Sequence, residues 1–246
     1  MANNYKFTVT YDGTRYLGWE HQPGTDMTIQ GKLENVLSKM TDSDTEVIGC
    51  GRTDAGVSAK GYICNAHLKC DMPPEEVKSY MNRYLPDDIS IDSCIIASPR
   101  FHSRYNAVGK TYRYTCYTGV NKPVFDRKYV YVLEKVPDIE KMRKAASYLM
   151  GEHDFASYCS NPKMKKSTVR KVDSILIEQN GDYLTFTYHG TGFLQHMVRI
   201  LTGTLLEVGF GTRDADSIPN LTEAKERAKA GATAPPSGLC LIGVNY

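Results

Sequence analysis

The chain has 246 residues, 41% apolar and 24% charged, with 30 Lys and Arg against 28 Asp and Glu; this balance is globular and excludes a disordered chain or one whose net charge alone seeks an acidic partner. Its length suits one large domain or two of roughly 100 to 150 residues. No run approaches the roughly 18 apolar residues of a membrane span, the start MANNYKFTVTYDG has no leader character, and seven scattered cysteines form no CxxC pair. A cytoplasmic protein with reduced thiols, no disulfide framework and no zinc site is expected.

In chain order, YKFTVTY alternates Tyr5, Phe7, Val9 and Tyr11 against polar residues and predicts a strand. IQGKLENVLSKM places Ile29, Leu33, Val36, Leu37 and Met40 on one helical face. A short strand near 46 to 50, a strand at KGYICNAHLK, a helix opened by prolines at PPEEVKSYMNRYL and a strand at ISIDSCIIAS complete a first α+β half, residues 1–105. A second half, 106–246, follows. It reads as the strand KTYRYTCYTG, the helix DIEKMRKAASYLM, the hairpin VDSILIEQNGDYLTFTYHG with its NG turn, a helix FLQHMVRILTGTLLEVG, a helix SIPNLTEAKERAKAG ended by Gly231, and a closing strand GLCLIGVNY. Two halves of similar element order predict a pair of ferredoxin-like α+β units.

Walker A, GxGxxG, HExxH and GxSxG patterns are all absent. The stretch GCGRTDAGVSAKGY instead sets Asp54 among glycines, where it is either an Asx-turn residue or a carboxylate on a loop that lets another molecule approach the backbone. A functional carboxylate there needs a cation to hold it ionised, and Arg199, on the predicted helix beside Gln195, His196, Thr202 and Gly203, is a candidate. Alternation in KTYRYTCY sends Tyr112 and Tyr114 to one face and Arg113 to the other. Seventeen tyrosines against seven phenylalanines supply rings that pack in a core or stack on unpaired bases. The charges are segregated. Lys163, Lys165, Lys166, Arg170 and Lys171 form a stretch without an acid, and Arg100, Arg104, Lys110 and Arg113 another, so a basic face for nucleic acid is expected on a nearly neutral chain, with solvated surface lysines as the other reading.

Taken together, YDGTRYLGWEHQP, TIQGKLE, GRTDAGV, KTYRY, GEHDFASY, FLQHMVRILTG and GLCLIGVNY, in that order, resemble the motifs of the tRNA pseudouridine synthase A family across essentially the whole chain. The resemblance implies the pseudouridine synthase fold, two RRM-like or ferredoxin-like α+β halves with sheets joined across a central RNA-binding cleft. It implies an isomerase that converts uridine to pseudouridine at positions 38 to 40 of the tRNA anticodon arm, acting as a homodimer without a cofactor. By it Asp54 is the nucleophile, Arg199 its salt-bridge partner, Tyr112 the ring against the uracil, and Arg52 the arginine that extrudes the target nucleotide. The basic stretch 163 to 171 is expected on the substrate's phosphates. Three positions depart from the family pattern: Ser58 stands where His is usual, Tyr62 where Gln is usual and Glu20 where Gln is common, and the chain is short for the family. The alternatives are a pseudouridine synthase for ribosomal RNA and a non-catalytic RNA-binding or tRNA-folding module; a glycoside hydrolase lacks its second carboxylate.

Overall fold

The computed structural model describes residues 2–161 and 164–246. They form two compact units, one of residues up to Val108 together with Cys240–Tyr246, the other Gly109–Leu239. Both are α+β.

In the first unit, β1 (Asn3–Tyr11) lies between β4 (Ile89–Ile96) and β3 (Ser58–Leu68), antiparallel to both, and β10 (Leu239–Asn245) lies parallel to β3. The two-residue β2 (Ile48–Gly49) also pairs with β3. The period-2 pattern read from β1 is real: Tyr5, Phe7, Val9 and Tyr11 are each at most 2% exposed. Helix α1 (Ile29–Thr41) starts where the Thr28 hydroxyl accepts the Gly31 N–H at 3.3 Å, and it buries Ile29, Leu33, Val36 and Leu37. Helix α2 (Pro74–Tyr84) opens on a proline and buries Val77 and Met81. Four nonpolar side chains on α1, two on α2 and Tyr5, Phe7, Val9 and Tyr11 on β1 supply apolar burial that holds the unit together.

The sheet of the second unit runs β5 (Gly109–Tyr117), β9 (Tyr183–Gly190), β8 (Val169–Asn180), β7 (Gly151–Asp154), with β6 (Tyr131–Val132) paired to β5. The β8–β9 hairpin turns at Gly181, as the NG signal predicts. Helix α3 (Ile139–Ser147) is capped by Asp138, whose carboxylate accepts the Lys141 N–H at 3.1 Å.

Helix α4 (Met197–Gly209) is shorter than the sequence predicts. Residues 193 to 196 are not helical, because His196 adopts a left-handed backbone (φ 59°) and is tied by Nδ1 to the Ser160 hydroxyl at 2.9 Å, while the Ser160 N–H donates to the Gln195 carbonyl at 3.2 Å. Gln195 and His196 therefore lie outside the helix that carries Arg199. Thr202 and Gly203 are buried, Thr202 meeting the Tyr188 hydroxyl of β9 at 2.9 Å. The segment at Ala232 packs closely on Gly203: a Cβ there would lie 1.9 Å from the Ala232 carbonyl oxygen. The last predicted helix also ends early, as α5 (Ile218–Ala224) stops at left-handed Lys225. Gly231 is not its cap; it lies against α4, donating its N–H to the Thr204 hydroxyl at 3.0 Å.

Candidate active site

Asp54 sits on the loop between β2 and β3, half-buried, with its backbone held on every side within the first unit. The preceding Thr53 is buried and its hydroxyl meets the Tyr11 hydroxyl at 2.9 Å. The Thr53 carbonyl accepts the Trp19 N–H at 3.1 Å, and the Asp54 carbonyl accepts the Val57 N–H at 3.1 Å, closing a turn. Glycine is required on both sides of that approach. Gly18 (φ +103°) leaves room where a Cβ would lie 2.7 Å from the Thr53 carbonyl oxygen, and Gly56 (φ +79°) takes the turn's left-handed position while donating to the Tyr16 carbonyl at 3.2 Å. Gly18 and Gly56 thus serve a backbone pressed against its neighbours, with Asp54 itself half-buried.

Beneath the loop the Tyr62 hydroxyl donates to the Gly51 carbonyl, and the Trp19 ring stacks on the Tyr62 ring at 3.9 Å. Complete burial pushes the Tyr62 phenol well above its usual value, so it remains a donor through the physiological range. Two of the departures from the family pattern acquire local roles in this way: Tyr62 supports the loop, and the Ser58 hydroxyl accepts the Gly13 N–H at 3.0 Å. The third, Glu20, pairs with Arg52 at 2.5 Å, both side chains well exposed. Such a pair is worth at most about 1 kcal/mol and leaves Arg52 available to a stronger anion.

The other sequence-derived residues lie in the second unit. Tyr112, on β5, is 9% exposed and meets the Phe193 ring edge-on at 5.3 Å. Arg199, on the first turns of α4, is half-buried, and its Nε donates to the Ala234 carbonyl at 2.7 Å, which fixes the guanidinium. In the basic stretch, Lys165 and Lys166 are exposed, and Arg170 folds back onto the Ser167 and Val169 carbonyls at 2.8 and 2.6 Å. Lys171 is not an uncompensated cation, because Asp173 lies 2.9 Å from its ammonium. Lys163 lies outside the described residues. Sequence reading missed Trp19, Tyr62, Tyr11 and Thr53 as the supports of the loop; the sole tryptophan, directly after Gly18, was the one signal available. Among the described residues no cluster of His, Cys, Asp and Glu could hold a metal ion, and no helix is long and apolar enough to cross a membrane.

The family model described as tRNA pseudouridine synthase matches residues 8–106 and 145–246. The chain belongs to the tRNA pseudouridine synthase family, a family of isomerases. It is 43% identical over 244 residues to tRNA pseudouridine synthase A of Bacillus sp. (strain KSM-64), covering 99% of this chain and all of that one. It is 41% identical, with the same coverage, to tRNA pseudouridine synthase A 2 of Bacillus cereus (strain ZK / E33L). Identity to tRNA pseudouridine synthase A of Clostridium kluyveri is 40%, over 99% of both chains. The chain spans essentially the whole length of these relatives, so the expectation that it is short for the family does not hold against them.

Proposed function

We propose that the protein converts uridine to pseudouridine in the anticodon arm of tRNA, at positions 38 to 40, with Asp54 as nucleophile. The carrying observation is the loop itself: its backbone is fixed at Thr53, Asp54 and Gly56 by hydrogen bonds, while Asp54 as a whole is only half-buried. Fixing the backbone of a reactive group removes part of the orientation cost of its reaction. The reaction breaks the N1–C1′ glycosidic bond, turns the uracil and joins C5 to C1′; a proton leaves C5 and N1 takes one up, so nothing is oxidised and no group is imported. The reaction needs a carboxylate nucleophile, a pocket that excludes water and a base to take the C5 proton.

Arg52 is assigned to extrusion of the nucleotide, whose unstacking costs a few kcal/mol. Tyr112 is the ring that packs the uracil, and Arg199 the cation of the reaction. Lys165, Lys166 and Arg170 are assigned to phosphates, and Lys163 and Lys171 are kept with them as the sequence places them. The protein is taken to act as a homodimer in the cytoplasm.

Asp54→Asn tests the reading. Asn retains the size of the side chain and its turn-forming ability, and lacks the anionic oxygen. A folded variant that binds tRNA and forms no pseudouridine is the expected result; one that turns over at near the parental rate returns Asp54 to the role of a turn residue. Pseudouridine mapping of tRNA and ribosomal RNA with and without the gene identifies the substrate.

A further inference from the structure

The first unit has a cavity of about 230 Å³ whose lining includes Trp19, Glu20, Arg52, His102, Arg104 and Tyr105. Cavities for drug-sized ligands run from roughly 300 Å³ upward, so this one suits a single planar ring. One wall is a pair of aromatic rings, His102 and Tyr105, with centroids 4.2 Å apart and planes inclined by 33°. Tyr105 is 76% exposed, so the ring is not placed there by burial.

The backbone that carries it is nevertheless tightly held. His102 Nδ1 accepts the N–H groups of Arg104 and Tyr105 at 3.2 and 3.3 Å, which leaves Nε2 as the protonated nitrogen of the neutral ring. Asn106 clamps the same residue, its side chain accepting the His102 N–H at 2.7 Å and its own N–H donating to the His102 carbonyl at 3.0 Å. Below this knuckle lies a buried amide network. Asn65 Oδ1 accepts the Ser103 N–H at 2.9 Å and its hydroxyl at 2.6 Å, while Asn4 Nδ2 donates to the Ser98 and Phe101 carbonyls at 2.9 Å. Fully paired buried amides of this kind specify one loop conformation. Arg104, in the middle of the knuckle, makes no side-chain hydrogen bond or ion pair among the described residues. An exposed tyrosine ring beside a half-buried, hydrogen-bonded histidine ring, on a fixed backbone and next to an uncommitted guanidinium, is a stacking platform with a phosphate contact. Arg52, also on the lining, is two residues from Asp54 in the chain.

We propose that this cavity receives the base immediately next to the target uridine, stacked on Tyr105 and His102 with its phosphate on Arg104. The inference rests on the proposed RNA-modifying function and adds a second nucleotide subsite to it. Stacking tolerates any base, so the subsite contributes binding more than sequence choice.

The test uses the full-length protein and a tRNA substrate carrying 5-iodouridine at single positions on either side of the target. Irradiation should join one of these positions to the peptide containing Tyr105. Tyr105→Leu should raise KM about ten-fold with kcat within two-fold, Tyr105→Phe should restore KM because it still stacks, and Arg104→Ala should flatten the salt dependence of binding by roughly 0.7 to 0.9 log units per log unit of salt. The exposed Tyr105 ring adds little to the folded core, and a melting curve of each variant checks that folding is intact. Turnover by the wild type together with an unchanged KM for Tyr105→Leu and no cross-link from either position overturns the subsite alone. A wild type that forms no pseudouridine in any RNA overturns the reading on which the subsite rests, and the subsite with it.

Discussion

The Tyr62 hydroxyl donates to the Gly51 carbonyl, and Trp19 stacks on the same ring at 3.9 Å, so the loop bearing Asp54 rests on a pair of packed aromatic side chains. Tyr62→Phe keeps the stack and leaves the Gly51 carbonyl without this donor. Loss of roughly 0.5 to 1.5 kcal/mol in denaturant unfolding is expected, the net worth of a hydrogen bond to a partly buried carbonyl. Single-turnover pseudouridine formation should fall as well if the loop's rigidity serves the reaction. An unchanged unfolding midpoint would show that the hydroxyl contributes nothing to holding the loop.

Gly49 lies in the same support. A Cβ at this position would come within 2.2 Å of the Tyr62 hydroxyl oxygen and 2.6 Å of the Trp19 ring. Gly49→Ala must therefore displace one of two stacked rings, and overpacking of this kind costs about 1 to 3 kcal/mol. Trp19 is the only tryptophan, so its fluorescence reports the displacement directly. A variant with parental stability and parental emission would mean that the rings yield without cost.

Local chemistry explains which parts of this structure were legible in the sequence. Strand β1 and helix α1 announce themselves because burial on one face imposes a period on the residues, and the NG turn because few residues accept a left-handed backbone. Asp54 stood out through its glycines. The loop's supports did not, since Tyr62 reads as one more alternating residue of β3 and its hydrogen bond to Gly51 depends on how the strand and loop are brought together. The start of α4 differs for a related reason: the apolar period continues through residues 193 to 196, while the left-handed His196 and the bonds from Ser160 to His196 and Gln195 hold that segment out of the helix. Lys171 read as a free cation because its partner, Asp173, sits two residues along the same strand, where side chains share a face.

Gly203 and Gly231 predict a second packing limit. The Cβ of Gly203→Ala would lie 1.9 Å from the Ala232 carbonyl oxygen, which is backbone and cannot rotate away. The segment after Gly231 must move off α4, and with it Ala234, whose carbonyl holds the Arg199 guanidinium. The expected outcome is a loss of at least about 1 to 3 kcal/mol in unfolding free energy, together with faster hydrogen exchange at the Ala234 amide, which donates to the Arg199 carbonyl. Exchange at the parental rate would contradict the packing limit.

Lys165 and Lys166 are exposed, whereas Lys171 is paired with Asp173. Replacing the first two with Ala should reduce the slope of log affinity for tRNA against log salt by roughly 0.7 to 0.9 for each phosphate that is no longer neutralised. Lys171→Ala should change the slope less, because the cation it removes is already neutralised locally. Equal slopes for the parent and the double variant would place Lys165 and Lys166 on a surface that RNA does not touch.

Asp154 is one of the carboxylates that make stability fall in acid. Its carboxylate accepts the Thr168 hydroxyl, the Ala156 N–H at 3.2 Å and the Lys225 ammonium at 2.9 Å. The Thr168 hydrogen bond, with Lys225 and the Ala156 N–H beside it, holds the folded-state pKa below the usual carboxylate value. A depressed folded pKa means that the unfolded chain takes up the proton first as pH falls. The stabilisation is therefore complete above the unfolded value of about 3.9 and is lost as pH drops through the folded one. Asp154→Asn can still accept the hydroxyl and the N–H but has no charge for Lys225 and no proton to bind. Denaturant unfolding from pH 7 to about pH 2 should show the parent more stable by a constant margin at neutral pH, with the margin shrinking below about pH 4. A margin that stays constant to the lowest pH would remove Asp154 from the groups that set the acid limit.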